Sequence, residues 1–224
     1  MAVSRITIFA GHYGSGKTNL ALNYAFLLKK AEKNVVICDL DIVNPYFRAL
    51  DSKDDLDRAG IQLITSDFSN SNAELPSMPA NTQAIFDNPA VYAVVDLGGD
   101  DRGALALGRY RAAIQREPAY DMLLVANKYR PLSGNVPDLI EIKEEIEAAA
   151  GVRFTGIVNN SNLAEETTAE DVFKTETFIQ ALSAATGLPV KFTAINETLL
   201  DSGDARFKSG CFPVQIYKKS IWKI

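Results

Sequence analysis

The chain has 224 residues, 47% hydrophobic and 23% charged, an ordinary globular balance with enough length to bury one large α/β core. Its 23 Lys and Arg against 28 Asp and Glu leave a net charge of -5, which supplies no general electrostatic footprint for nucleic acid. The two cysteines, Cys38 and Cys211, form no Cys-x-x-Cys pair and read as free thiols of a reducing compartment.

Residues 1–5 lead straight into an apolar run, without a basic leader or a small-residue cleavage signal. No apolar run approaches the roughly 20 residues that cross a bilayer, so the expectation is a cytoplasmic protein. Short β-branched runs then alternate with helical stretches, the pattern of βαβ units and a mainly parallel sheet. Strands are expected near residues 5–10, 34–40, 61–65, 91–97, 121–127, 153–159 and 190–194. The first helix should run from the end of a glycine-rich loop to about Lys33, with Leu20, Tyr24, Leu27 and Leu28 facing inward. A second helix is expected over residues 136–150, with Glu141, Lys143, Glu144 and Glu147 on its exposed side. Residues 67–81, rich in Ser, Asn and Pro, read as a surface loop. No internal repeat or linker divides the chain, and residues 1–224 are expected to form one domain, a three-layer α/β sandwich on a sheet of about seven strands.

The strongest motif is Gly11-His12-Tyr13-Gly14-Ser15-Gly16-Lys17-Thr18, a Walker A pattern after an apolar strand and at the opening of a helix. Its glycines allow successive N-H groups to point at phosphate oxygens, and the helix N-terminus adds partial positive charge. Lys17 would neutralise the β- and γ-phosphates, and the Thr18 hydroxyl would ligate Mg²⁺. Asn19, next on the helix, is counted with the nucleotide-binding set. Asp96 ends an apolar strand ahead of Gly98-Gly99, as a Walker B carboxylate acting on Mg²⁺ would. Asp39 and Asp41 close the second strand and are expected on opposite sides of it, with at least one facing the phosphates.

Walker A near the N-terminus, Asp-x-Asp after the second strand and Asp-x-x-Gly after the fourth resemble the MinD/ParA/nitrogenase-iron-protein group of P-loop ATPases. The resemblance covers most of the chain. It implies that Asp41 lies in switch I, shares in the metal site and orients the attacking water, while Gly98 and Gly99 belong to switch II. It implies too that an Asn after the late strand Gly156-Ile157-Val158-Asn159 contacts adenine, here Asn160. Gly210-Cys211-Phe212-Pro213-Val214 is similar to a late Gly-x-Pro-Val segment of the group. Many members carry a second, signature lysine just after the first P-loop glycine, which reaches a dimer partner's phosphates. This chain has His12 there, its one histidine, which leaves open a pH-sensitive phosphate contact.

Asn127-Lys128-Tyr129-Arg130 begins like the Asn-Lys-x-Asp element of GTPases but ends in Arg. Guanine requires a carboxylate at that position and Arg offers only donors, so ATP is preferred over GTP. The leading function is an ATPase of slow, Mg²⁺-dependent turnover that acts as a nucleotide switch or assembly factor on a protein partner, with a homodimer possible. A small-molecule kinase or ligase is the alternative, with an acceptor pocket at residues 44–48 and 67–81. A metal-insertion ATPase is a third, against which the isolated cysteines weigh. The tail at residues 217–224 mixes three lysines with Trp and Ile and reads as docked on the core rather than on a membrane.

Overall fold

In a computed structural model the described residues are 3–41, 49–65, 82–99, 101–202, 204, 206, 207 and 210–217. Eight strands form one sheet: β1 (Ile6–Ala10), β2 (Val35–Leu40), β3 (Gln62–Thr65), β4 (Tyr92–Leu97), β5 (Tyr120–Ala126), β6 (Gly156–Asn159), β7 (Val190–Asn196) and β8 (Cys211–Val214). Their order is β3-β2-β4-β1-β5-β6-β7-β8, and every pairing is parallel. All seven expected strands are present. The eighth falls on Cys211-Phe212-Pro213-Val214, where Pro213 is tolerated because β8 is an edge strand with β7 as its neighbour.

Central strands are buried on both faces, which is why they read as unbroken apolar runs. Ile6, Ile8 and Ala10 enter the core on one face, beneath α3 (Thr82–Asp87), α4 (Asp101–Gly108), α5 (Arg111–Arg116), α6 (Val136–Ala150) and α8 (Glu176–Thr186). Phe9, Ile37 and Val94 enter the core on the other, against α1 (Lys17–Lys30) and α2 (Lys53–Ala59). This is the three-layer α/β sandwich. Two short helices, α7 (Ala169–Phe173) and α9 (Glu197–Leu200), follow β6 and β7 at the carboxyl edge of the sheet.

Helix α1 stops three residues before the expected Lys33, where Ala31 N-H bonds back to Leu27 and Leu28 carbonyls. Leu20, Tyr24 and Leu28 are buried as expected, but Leu27 is 42% exposed. Leu27 is three residues beyond Tyr24 and one before Leu28, on the solvent shoulder of the stripe. Helix α6 has the expected bounds, opened by Asn135 capping Asp138 N-H at 2.9 Å. Its Lys143 and Glu147 are half-buried and paired at 2.9 Å, and Glu147 also accepts from Phe154 N-H at 2.8 Å, so this part of the expected exposed side is in contact with the next segment.

Candidate nucleotide site

The loop between β1 and α1 holds conformations that glycine permits. Gly11 has φ 147°, and a Cβ there would lie 2.8 Å from the Val125 carbonyl oxygen. Gly16 has φ 92°, and its Cβ would fall 2.3 Å from Asn160 Nδ2. No acidic residue occupies the first turn of α1, so its N-terminal field is open to an anion. Lys17 is 3% exposed and donates from Nζ to the His12 carbonyl at 3.2 Å, held against its own loop. His12 Nδ1 lies 2.9 Å from the Tyr13 carbonyl oxygen. A carbonyl can only accept, so Nδ1 carries the hydrogen and a neutral ring has no second N-H for a phosphate.

Behind the loop, Thr18 Oγ1 donates to Asp96 Oδ2 at 2.6 Å. Asp96 is fully buried, and its Oδ1 has no partner among the described residues. Burial, then the charge of Asp39, push the Asp96 carboxyl up to about 8; Lys17 pulls the other way, and Asp41 raises it further. Asp39 stands opposite Asp96 in the β2–β4 ladder, and Asp41 N-H bonds Asp39 Oδ1 at 3.0 Å. The expectation that Asp39 and Asp41 lie on opposite sides is thus corrected: positions two apart share a strand face, and both charges act on Asp96. An orphaned carboxylate oxygen beside a hydroxyl and a further carboxylate is a hard, all-oxygen donor set that suits Mg²⁺. Among the described residues no group of three His, Cys, Asp or Glu is placed to hold a metal unaided, so phosphate and water would complete its shell.

After β4 the chain bends back onto the phosphate loop. Gly98 N-H bonds the Leu40 carbonyl at 3.4 Å, and a Cβ on Gly99 would lie 2.6 Å from Gly11 O and 2.8 Å from Tyr13 N. Only a residue without a side chain fits this backbone-on-backbone contact. The Asn44-Pro45-Tyr46-Phe47-Arg48 segment, the loop at 67–81 and the tail at 218–224 lie outside the described residues.

On the β6–β7 side a cavity of about 130 Å³ opens beside the loop, lined by Gly16, Asn19, Asn160, Asn196, Ile216 and Tyr217 among others. Asn160 Nδ2 donates to Ser15 O at 2.7 Å, which leaves Oδ1 as its acceptor. Asn196 Oδ1 caps Thr198 N-H at 3.1 Å. Asn19, expected on the nucleotide, lines the cavity while both its polar atoms hold the C-terminal segment: Nδ2 donates to Gln215 O and Oδ1 accepts from Tyr217 N-H, each at 2.9 Å. The Asn127 segment follows β5, one strand short of this cavity, and instead touches the tip of the phosphate loop. Arg130 Cδ and Nε each lie 3.9 Å from where a Gly14 Cβ would stand. Sequence reading missed Asn196 and residues 215–217, because strand order, not local pattern, brings them to the site.

Strand order, a glycine loop at a helix N-terminus and a buried carboxylate bonded to the loop's Thr define a P-loop nucleoside-triphosphatase fold. The model of the CobQ/CobB/MinD/ParA nucleotide binding domain (CbiA) matches residues 6–172, and the chain belongs to that family. No curated protein sequence matches the chain. Solved structures are similar at low identity. The cell division protein FtsY from Thermotoga maritima is 18% identical with a TM-score of 0.51, covering 85% of this chain and 61% of its own. The signal recognition particle receptor FtsY from Elizabethkingia anophelis, in complex with GDP, is 18% identical with a TM-score of 0.53, covering 98% and 62%. A nucleotide-binding protein in complex with ADP from Archaeoglobus fulgidus is 16% identical with a TM-score of 0.49, covering 89% and 85%. The chain therefore spans about three fifths of the length of the FtsY chains it resembles. Among the described residues no helix is long and apolar enough to cross a membrane.

Proposed function

We propose that this chain binds ATP with Mg²⁺, hydrolyses it slowly, and acts as a nucleotide switch or assembly ATPase on a protein partner. The observation that carries this reading is the contact of Gly99 with Gly11 and Tyr13, because the segment that follows the Walker B strand rests directly on the phosphate loop. A γ-phosphate entering that loop must meet this segment. Its arrival or loss then has a mechanical readout on the surface.

Adenine is favoured by two amides whose orientations are fixed by backbone groups. Asn160 presents Oδ1, an acceptor for the adenine amino group, and Asn196 presents Nδ2, a donor for a ring nitrogen. Guanine carries an acceptor oxygen where adenine carries that amino group, so the pattern opposes it. A competition titration checks this: GTP should displace labelled ATP only at higher concentration.

In the loaded site Thr18, Asp96 and Asp41 would hold Mg²⁺, which offsets phosphate charge. Lys17 and the loop amides stabilise the developing charge on the phosphate oxygens, and Asp41 aligns the attacking water. The metal-insertion alternative is disfavoured, since burial pushes the Cys38 thiol up to about 12 and Cys211 sits on the edge strand. Residues 1–224 are read as one cytoplasmic domain, with a homodimer open to it. Lys17→Ala and Asp41→Ala should each lower ATP hydrolysis by about 100-fold. Full activity in both variants would sink the assignment.

A further inference from the structure

We propose that Arg130 lays its guanidinium, from the same chain, over the phosphates of the bound nucleotide and stabilises the charge that develops there. This inference rests on the ATPase reading above and adds a residue to it.

The backbone of Arg130 is fixed on several sides. Its N-H bonds the Asn127 carbonyl and its own carbonyl accepts from Ser133 N-H, each at 3.2 Å. Buried Asn127 accepts Tyr129 N-H at 3.0 Å, and Lys128 N-H donates to Ser161 Oγ at 3.0 Å. The Tyr129 hydroxyl donates to the Asp171 carbonyl at 2.6 Å. A Cβ on Gly134 would stand 2.8 Å from Lys128 O and 3.0 Å from Arg130 O, so the turn closes tightly beneath the side chain.

The side chain lies along the phosphate loop at Gly14, a position with φ 76°. Arg130 is exposed, and among the described residues its guanidinium makes no hydrogen bond or ion pair. Arg5, Arg58, Arg116 and Arg206, by contrast, each hold a carboxylate. In a chain of net charge -5 a cation left unpaired beside a phosphate cradle has an anion as its natural complement. Guanidinium binds phosphate oxygens in a bidentate fork that a lysine cannot form.

Two other nitrogen-bearing side chains at the loop leave this task open. Lys17 is held inside the loop, and the His12 ring is turned onto the Tyr13 carbonyl. Among the described residues Arg130 is therefore a cation left at the outer rim of the loop, beside Gly14. In hydrolysis the water oxygen bonds to the γ-phosphorus as the bond to the β–γ bridging oxygen breaks. That oxygen leaves on ADP with the electron pair, and the water's protons pass to inorganic phosphate and solvent. Arg130 exchanges no bond in this step and offsets the charge on the bridging and γ-oxygens.

The experiment compares Arg130→Ala and Arg130→Lys with the unmodified chain, by single-turnover ATP hydrolysis and by ATP and ADP affinities from displacement of a fluorescent nucleotide. Arg130→Ala should slow hydrolysis at least tenfold and reduce the ATP-over-ADP preference, with an unchanged unfolding midpoint. Millimolar guanidinium should restore part of the rate, and Arg130→Lys should restore less than half. Unchanged hydrolysis and an unchanged ATP-over-ADP preference overturn the proposal. Recovery on mixing Arg130→Ala with Lys17→Ala overturns the same-chain assignment, since the arginine would then act on a partner's nucleotide. An unmodified chain that binds no ATP sinks the ATPase reading itself, and this proposal with it.

Discussion

Asp96 is the residue at which fold and chemistry are most tightly joined. It lies at the carboxyl end of a central strand, spends one oxygen on Thr18 and leaves the other unpartnered among the described residues, in a region that two further carboxylates make negative. Raised to about 8, its carboxyl keeps a proton that the unfolded chain gives up near pH 4. Between those values the folded form binds more protons, so its stabilising contribution is full below about pH 4 and is lost as pH rises toward 8. The unfolding midpoint of the nucleotide-free protein should fall from pH 5 to pH 8.5, and Asp96→Asn should flatten that slope. A cation entering the site displaces the same proton. Calorimetric titration of Mg²⁺ and ATP at pH 7 in two buffers of different ionisation heat should therefore reveal proton release, which Asp96→Asn removes. Equal heats in both buffers would refute the protonated carboxyl.

At the scale of elements, the segment after β8 is fastened to α1 by side chains rather than by a sheet. Asn23 donates to Gln215 O at 2.9 Å and accepts from Gln215 N-H at 2.8 Å, while Asn19 holds Gln215 and Tyr217, and Tyr217 stacks on Phe26. Asn23→Ala strands the Gln215 N-H and should cost about 1–3 kcal/mol. Because Ile216 and Tyr217 line the cavity beside the phosphate loop, ATP affinity should fall with it on the proposed reading; a thermal scan and a nucleotide titration that both stay unchanged would show the fastening to be idle.

These asparagines illustrate what the sequence discloses. Strands β1, β2, β4, β5 and β6 announce themselves because burial on both faces demands apolar, β-branched runs, and β3 and β7, only partly buried, keep enough of that character to be read. The Walker loop is legible because backbone geometry, not distant packing, dictates its glycines. Strand β8 is hidden by Pro213, which argues against a strand until edge placement is known. Asn127-Lys128-Tyr129-Arg130 has the letters of a base-recognition motif, but β5 lies beside β1 and delivers it to the loop between β1 and α1. Asn160, one strand further out, reaches the cavity. Asn23 reads as an ordinary helix residue and Asn19 as one of the nucleotide-binding set, since the partners of both lie 192 to 198 residues away in sequence.

For the whole molecule, one sheet serves two cores. Leu22 of α1 is fully buried on one face and Leu139 of α6 fully buried on the other, in separate apolar clusters of the described residues on the two sides of the strands. Leu22→Ala and Leu139→Ala should each cost about 3–5 kcal/mol. Both should lower one shared transition, by about 2–4 °C for each kcal/mol in a protein of this length. Two separate calorimetric transitions in either variant would mean that the faces melt independently.

The fastening of α1 by residues 215–217 also bears on how the chain comes to exist. A ribosome delivers the phosphate loop and its helix well before the groups that satisfy Asn19, which stand 196 and 198 residues downstream of it. Contacts of such sequence separation form late, after the costly closure of a long loop. A nascent chain that has already emerged through residue 172, the end of the family match, still has an open wall beside its Walker loop. Until Gln215 and Tyr217 have been made, Asn19 and Asn23 lack these partners, and the cavity beside the Walker loop lacks the wall that Ile216 and Tyr217 supply.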